Sequence, residues 1–88
     1  SAARTAAIHQ LEAGARRTGY AQIFIETPYR NGALLAALAA SCKPATRLCV
    51  AADLTLATES VVSQTIGAWR GTDGMRYAKR PAIFVLQA

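Results

Sequence analysis

Three short blocks of consecutive apolar residues limit what this chain can become: Ile23-Phe24-Ile25, Leu48-Cys49-Val50 and Ile83-Phe84-Val85-Leu86. Each is strand length, too short for a helix of ordinary size, and each is bounded by a breaker or a polar turn. Pro28 stops the first, Asp53 follows the second and Pro81 opens the third, where a missing N–H costs little. An apolar run without alternation reads as a strand covered on both faces. The expected strands are 21–27, 47–52 and 81–87. A fourth, 59–65, alternates, with Val61 and Val62 among Ser and Gln, and suits a strand with one more exposed face.

Helical spacing fills the gaps. Between residues 3 and 17, Ala7, Ile8, Leu11 and Ala15 share one face, while Arg4, Gln10, Glu12 and Arg17 project elsewhere. Gly19 is placed for a left-handed cap. Leu34, Leu35 and Leu38 form the stripe of a second helix over 32–42, for which Asn31 is the natural N-cap. Residues 66–69 suit a short helical turn, and 71–74 a flexible link. The order is helix, strand, helix, strand, strand, short helix, strand. It predicts an α/β fold, α+β-like, with a mixed sheet of about four strands flanked by helices. The tight link 53–58 suits an antiparallel step.

Composition adds a constraint. The chain has 88 residues, 52% of them apolar and only 17% charged. That is one domain near the lower end of self-sufficient size, and too apolar for disorder. Its surface is then unusually apolar, or part of it faces something else. Alanine accounts for much of the count, as in the run from Ala33 to Ala40. Ten Lys or Arg against five acids give a net charge of +5, which favours a polyanionic partner such as nucleic acid. Arg16-Arg17 and the group Arg76, Lys79 and Arg80 are the clusters. A simply solvated basic surface is the alternative.

No complete catalytic kit is visible. His9 is the sole histidine and suits a surface or interface role. Cys42 and Cys49 read as buried free thiols of a cytosolic protein, with no zinc-type spacing. No glycine-rich phosphate loop is present, no apolar stretch is long enough to span a membrane, and no signal peptide is visible. The denser polar signal sits at strand ends. Glu26, Tyr29 and Arg30 lie at the end of the strand 21–27, Asp53 and Thr55 follow the strand 47–52, and Glu59 opens the strand 59–65. Ligands of open α/β sheets collect at such ends. Glu26 and Arg30 as a turn-fixing ion pair, and Asp53 as a turn former, are the structural alternatives.

These residues also carry a resemblance. The segment Ile23-Phe24-Ile25-Glu26-Thr27-Pro28-Tyr29-Arg30 resembles the FYESPHR block of the ribosomal RNA small subunit methyltransferase I family, within the tetrapyrrole methylase superfamily. The segment 50–59 is similar to its second block, ARELTK followed by a hydrophobe and two acids. Lys79-Arg80-Pro81 and the strand after it are similar to the family's closing strand, and Arg4 to an arginine in the preceding helix. The resemblance covers essentially the whole chain. It implies the C-terminal domain of a bacterial class III methyltransferase, dependent on S-adenosylmethionine, cytoplasmic and homodimeric. The N-terminal domain, with the glycine-rich segment and most of the catalytic apparatus, would lie outside these residues. The 88 residues alone would then be inactive.

By the same resemblance, Ala51, Ala52, Leu54 and Thr55, with Pro81 and Ala82, wall the cofactor's adenosine pocket. Glu26, Tyr29 and Arg30 position the substrate, which the family implies is rRNA. Tyr29 stands where the family has His, and Leu56 where it has Lys, so a corrinoid or porphyrin precursor is an alternative methyl acceptor. Two further readings are a non-enzymatic RNA-binding module and a dimerisation domain.

Overall fold

A computed structural model describes residues 2–88. Helix α1 spans Ala2–Thr18, and strand β1 spans Gln22–Ile25. A 3-10 turn at Pro28–Arg30 leads into α2, Asn31–Ser41. Strands β2, Arg47–Ala52, and β3, Ser60–Thr65, form a hairpin around the loop 53–59. A short helix α3, Ile66–Trp69, and a second 3-10 turn, Gly74–Tyr77, precede β4, Ala82–Gln87.

The four strands form one sheet in the order β1-β4-β2-β3. The α/β architecture and the strand count match the sequence reading. The sheet is antiparallel at every pairing, however, where a mixed one was expected. The reason is placement. β4 enters between β1 and β2 and runs opposite to both, so no parallel crossover is made.

Register sorts the apolar blocks into two sets. Phe24 pairs Phe84, Phe84 pairs Val50 and Val50 pairs Val62, so these share one face. That face carries the core. Leu48, Val50, Ala52, Phe84 and Leu86 lie in one cluster with Ile8 of α1 and with Leu34, Leu35 and Leu38 of α2. The rings of Phe24 and Phe84 stack with centroids 5.8 Å apart. Trp69 is buried as well, and its indole N–H donates to the Leu48 carbonyl at 2.8 Å, which satisfies the polar end of an otherwise apolar side chain.

The other face is open. Ile23 and Ile25 are 70% and 73% exposed, and Val61 is 58% exposed. Cys49, Ala51, Ile83 and Val85 beside them are half-buried. The expectation that β1 is covered on both faces therefore fails within the described residues. The apolar surplus read from composition is located here.

Several local expectations change. Gly19 does end α1, at φ 76°, with its N–H on the Ala15 carbonyl. Asn31 begins α2 but caps nothing. Its amide reaches across to the carbonyls of Arg80 at 2.5 Å and Tyr77 at 3.4 Å. A cap bond within α2 is given up for a bond that ties α2 to the approach to β4. Ala7 faces solvent, and Glu12 is buried. Its carboxylate accepts the Thr46 hydroxyl at 2.6 Å and the Lys43 N–H at 2.8 Å, with Arg16 4.0 Å away. Helical spacing put it on the polar side, but partners on the turn before β2 satisfy it inside. His9 is exposed, against the Ser41 carbonyl. Cys42 is buried as expected, while Cys49 is half-buried on the open face. Burial, with Glu12 nearby, pushes the Cys42 thiol up to about 12, so it stays protonated. Among the described residues, no helix is long and apolar enough to cross a membrane.

Glu12 makes a stability prediction. Burial raises its carboxyl pKa, but Thr46, the Lys43 N–H and Arg16 together hold it below its ordinary value. A depressed folded pKa stabilises above the unfolded value and is lost as pH falls through the folded one. Glu12→Ala leaves the Lys43 N–H and Thr46 without their acceptor and should cost about 1–3 kcal/mol in urea unfolding at pH 7. The cost should shrink as pH falls through the lowered folded pKa, in contrast to a buried apolar truncation such as Phe84→Ala, whose cost is set by packing.

Candidate functional site

A cavity of about 580 Å³ opens on the exposed side of the sheet. It lies at the carboxyl ends of β1 and β2 and the amino end of β4. Its floor is Ile25, Ile83 and Ala51, consecutive across the register from β1 to β4 to β2. Leu54 and Leu56 of the 53–59 loop form one wall, and Pro28, Pro81 and Ala82 another. Glu26 and Asp53 are the charged groups at its margin. The volume falls within the range of small-molecule sites, and the lining has the expected apolar character with few polar groups.

The residues expected at the cofactor separate into two sets. Ala51, Leu54, Pro81 and Ala82 line this one cavity, and Glu26 joins them. Ala52 does not, because strand alternation turns it into the core beside Val50. Thr55, Tyr29 and Arg30 do not line it either. Thr55 lies one residue along from Leu54, with its side chain in solvent. Ile25, Ile83 and Pro28 line the cavity without having been assigned to it, and Leu56, noted for its departure from the family's Lys, lines it too. The outward apolar positions of β1 and β4 were the signal for the first two, had one face been known to be open.

The loop wall is tightly held. Asp53 has φ 52° and Thr55 φ 70°, left-handed values for non-glycine residues. Aspartate tolerates this region, but for β-branched threonine it is an outlier that surrounding bonds must hold. Those bonds are present. The Asp53 N–H donates to the Pro81 carbonyl, the Leu56 N–H to the Asp53 carbonyl, and the Thr55 N–H to the Glu59 carboxylate at 2.8 Å. Glu59 therefore closes the loop instead of opening β3.

Arg80 clamps the whole. Its Nε donates to the Asp53 carboxylate at 2.7 Å, and its remaining nitrogens donate to the carbonyls of Thr58 and Arg76. The guanidinium also lies over the Tyr77 ring. The Thr58 hydroxyl adds a second donor to Asp53 at 2.8 Å. The Arg80 and Thr58 hydrogen bonds hold the Asp53 carboxyl below its ordinary pKa, against a smaller opposing effect of burial. Asp53 is thus the turn former of its loop, committed to partners of its own chain. Glu26 and Arg30 form no ion pair. Glu26 accepts the Thr27 N–H at 2.8 Å, and Arg30 lies over the exposed ring of Tyr29 at 5.5 Å. Among the described residues, no group of three His, Cys, Asp or Glu could hold a metal ion.

No protein-family model and no curated protein sequence matches the chain. Among solved structures there is a likeness of fold. The crystal structure of the methyltransferase CobJ superposes with a TM-score of 0.56 at 14% sequence identity, over 92% of this chain and 34% of that one. The chain therefore spans about a third of that methyltransferase's length, and the likeness is one of fold.

Two variants test this site. Arg80→Ala should return the Asp53 carboxyl towards its ordinary range, seen as an upward shift of its titration by NMR. The stabilisation it contributes is present above the unfolded pKa and is lost as pH falls through the folded one, so the variant's deficit should fade in acid. Amide exchange at Leu56 and Glu59 should quicken. Thr55→Gly removes a strained side chain and should leave stability unchanged or raise it by up to about 1 kcal/mol in thermal unfolding, although glycine loosens the unfolded chain.

Proposed function

We propose that this chain is the C-terminal domain of an S-adenosylmethionine-dependent methyltransferase of the tetrapyrrole methylase superfamily. In this reading it supplies one wall of the cofactor cleft and helps to position rRNA as methyl acceptor. The observation that carries the reading is the cavity. Four of the six residues that the family resemblance assigns to the cofactor lie around it, and the fold is shared with a methyltransferase.

The lining suits an adenosine group. A flat ring needs an apolar slot and a few backbone donors and acceptors at its edge. Ala51 on the floor permits close approach, Ala82 borders the wall while its side chain faces the core, Ile25 and Ile83 offer apolar surface, and Leu54 closes the side. When bound, the cofactor supplies a methyl group already activated on sulfonium. The protein's task is chiefly to align the acceptor with that carbon. In this half of the enzyme, Tyr29 and Arg30 act on the substrate from beyond the cavity, and Glu26 from its margin. No proton transfer is assigned to them.

The reading also gives the open face an occupant. Ile25, Ala51 and Ile83 belong both to the cavity floor and to the exposed apolar face that continues through Ile23, Val85 and Val61. A domain that covers the cavity seats on this face. The N-terminal domain of the same polypeptide is the proposed occupant, and a second copy within a homodimer is the competing one.

Calorimetry on the full-length polypeptide should show S-adenosylmethionine binding, whereas the 88 residues alone should methylate nothing. Ala51→Phe places a ring on the cavity floor and should weaken cofactor binding by at least about tenfold, a loss of roughly 1.4 kcal/mol. Absence of binding by the unaltered full-length polypeptide would sink the proposal.

A further inference from the structure

The cavity has a basic lip that its own lining does not include. The turn at 28–30 and the turn at 74–77 run side by side. The Lys79 N–H donates to the Pro28 carbonyl at 3.3 Å, and the Asn31 amide donates to the carbonyls of Tyr77 and Arg80. Gly32 and Gly74 meet backbone to backbone: a Cβ on Gly74 would lie 2.8 Å from the Gly32 carbonyl oxygen. No other residue type fits there without a shift of main chain. Lys79 itself is held at φ 60°. The two turns are thus a single fixed ledge, joined to the cavity wall through Pro28 and Pro81.

The ledge displays Tyr29, Arg30, Met75, Arg76 and Lys79, all exposed. Tyr29 is 70% exposed, and the guanidinium of Arg30 lies 5.5 Å from its ring centroid. Among the described residues Arg30, Arg76 and Lys79 make no ion pair. The neighbouring carboxylates, Glu26 and Asp73, each accept a backbone N–H of their own turn. Three cations and an aromatic face are therefore displayed outward beside a cavity that contains no cation.

We infer that this ledge is a binding surface for single-stranded RNA, with phosphates on Arg30, Arg76 and Lys79 and one base stacked on Tyr29. The inference deepens the function proposed above and rests on it for the identity of the acceptor. Position favours a polymer over a compact anion. A small polycarboxylate seated in the cavity would find its walls apolar, whereas a strand lying across the two adjoining turns meets cations of each. Base–aromatic stacking with cations along the backbone is the general mode of single-strand recognition. Arg30 over Tyr29 supports the ring as a platform.

The test is fluorescence anisotropy of the 88-residue chain with a labelled single-stranded RNA oligonucleotide over a range of salt. The combined Arg30→Gln, Arg76→Gln, Lys79→Gln variant should bind at least about tenfold more weakly, with a salt slope shallower by about 2, at roughly 0.7 per single-strand phosphate contact. Tyr29→Ala should lower affinity with the slope unchanged. Arg16→Gln with Arg17→Gln, at the far end of α1, should do little. Circular dichroism confirms folding of each variant.

The inference is overturned if the α1 variant costs as much as the ledge variant, or if the unaltered chain fails to bind at low salt. Tighter, ledge-dependent binding of a polycarboxylate porphyrin than of RNA also overturns it. Cofactor binding by the full-length polypeptide reports separately. If that persists while RNA binding is lost everywhere, the ledge assignment fails and the methyltransferase reading stands.

Discussion

The seat of β4 between β1 and β2 organises everything else in this chain. One antiparallel register on each side puts Phe84 opposite both Phe24 and Val50, and these with Leu48 and Leu86 form the surface on which α1 and α2 pack. A slip by one residue would turn Phe84 and Leu86 to the open face and bring Ile83 and Val85 into the core. The core side is pinned against that slip by the large side chains it already accommodates, since burial of each phenylalanine or leucine contributes about 1.5–3 kcal/mol.

The same register builds the cavity. Its floor is the outward set of those strands, and its walls are what enters and leaves them. The loop after β2 is held to the residue before β4 by the Asp53 N–H on Pro81 and by Arg80 on Asp53. The helix after β1 is held to the same place by Asn31 on the Arg80 carbonyl. Arg80 therefore ties three segments, its side chain fixing the loop and its carbonyl fixing α2. Left-handed backbone at Asp53, Thr55 and Lys79 clusters around this point. Strain of this kind persists where surrounding bonds over-determine it, and here those bonds are all within the chain.

Much of the fold was legible in the sequence. The four strands, both long helices and the short turn at 66–69 follow from apolar blocks, helical spacing and breakers. What was not legible has common physical causes. An apolar run on a strand does not report which of its faces the chain covers, so Ile23 and Ile25 read as buried, although they are exposed. Helical spacing could not show that Glu12 finds Thr46 and Lys43 inside, nor that Asn31 finds a partner near residue 80, because those partners are brought in by tertiary structure. For the site, the resemblance brought four cofactor candidates to one cavity, and alternation removed Ala52. The pairing of Asp53 with Arg80 lay far apart in sequence and carried no local signal.

The division of labour between the two sheet faces bears on how such a domain can work. A cavity whose walls are fixed by internal hydrogen bonds loses little conformational entropy when it is filled, so binding free energy is not drawn down by ordering the loop. An open apolar face has the opposite property. Its free energy is recovered only when a second surface covers it, and the area it presents includes the cavity floor. Covering the face and closing the cavity are therefore one event. The walls of this cavity are held by hydrogen bonds within the chain, and any surface that covers the face also excludes the water between.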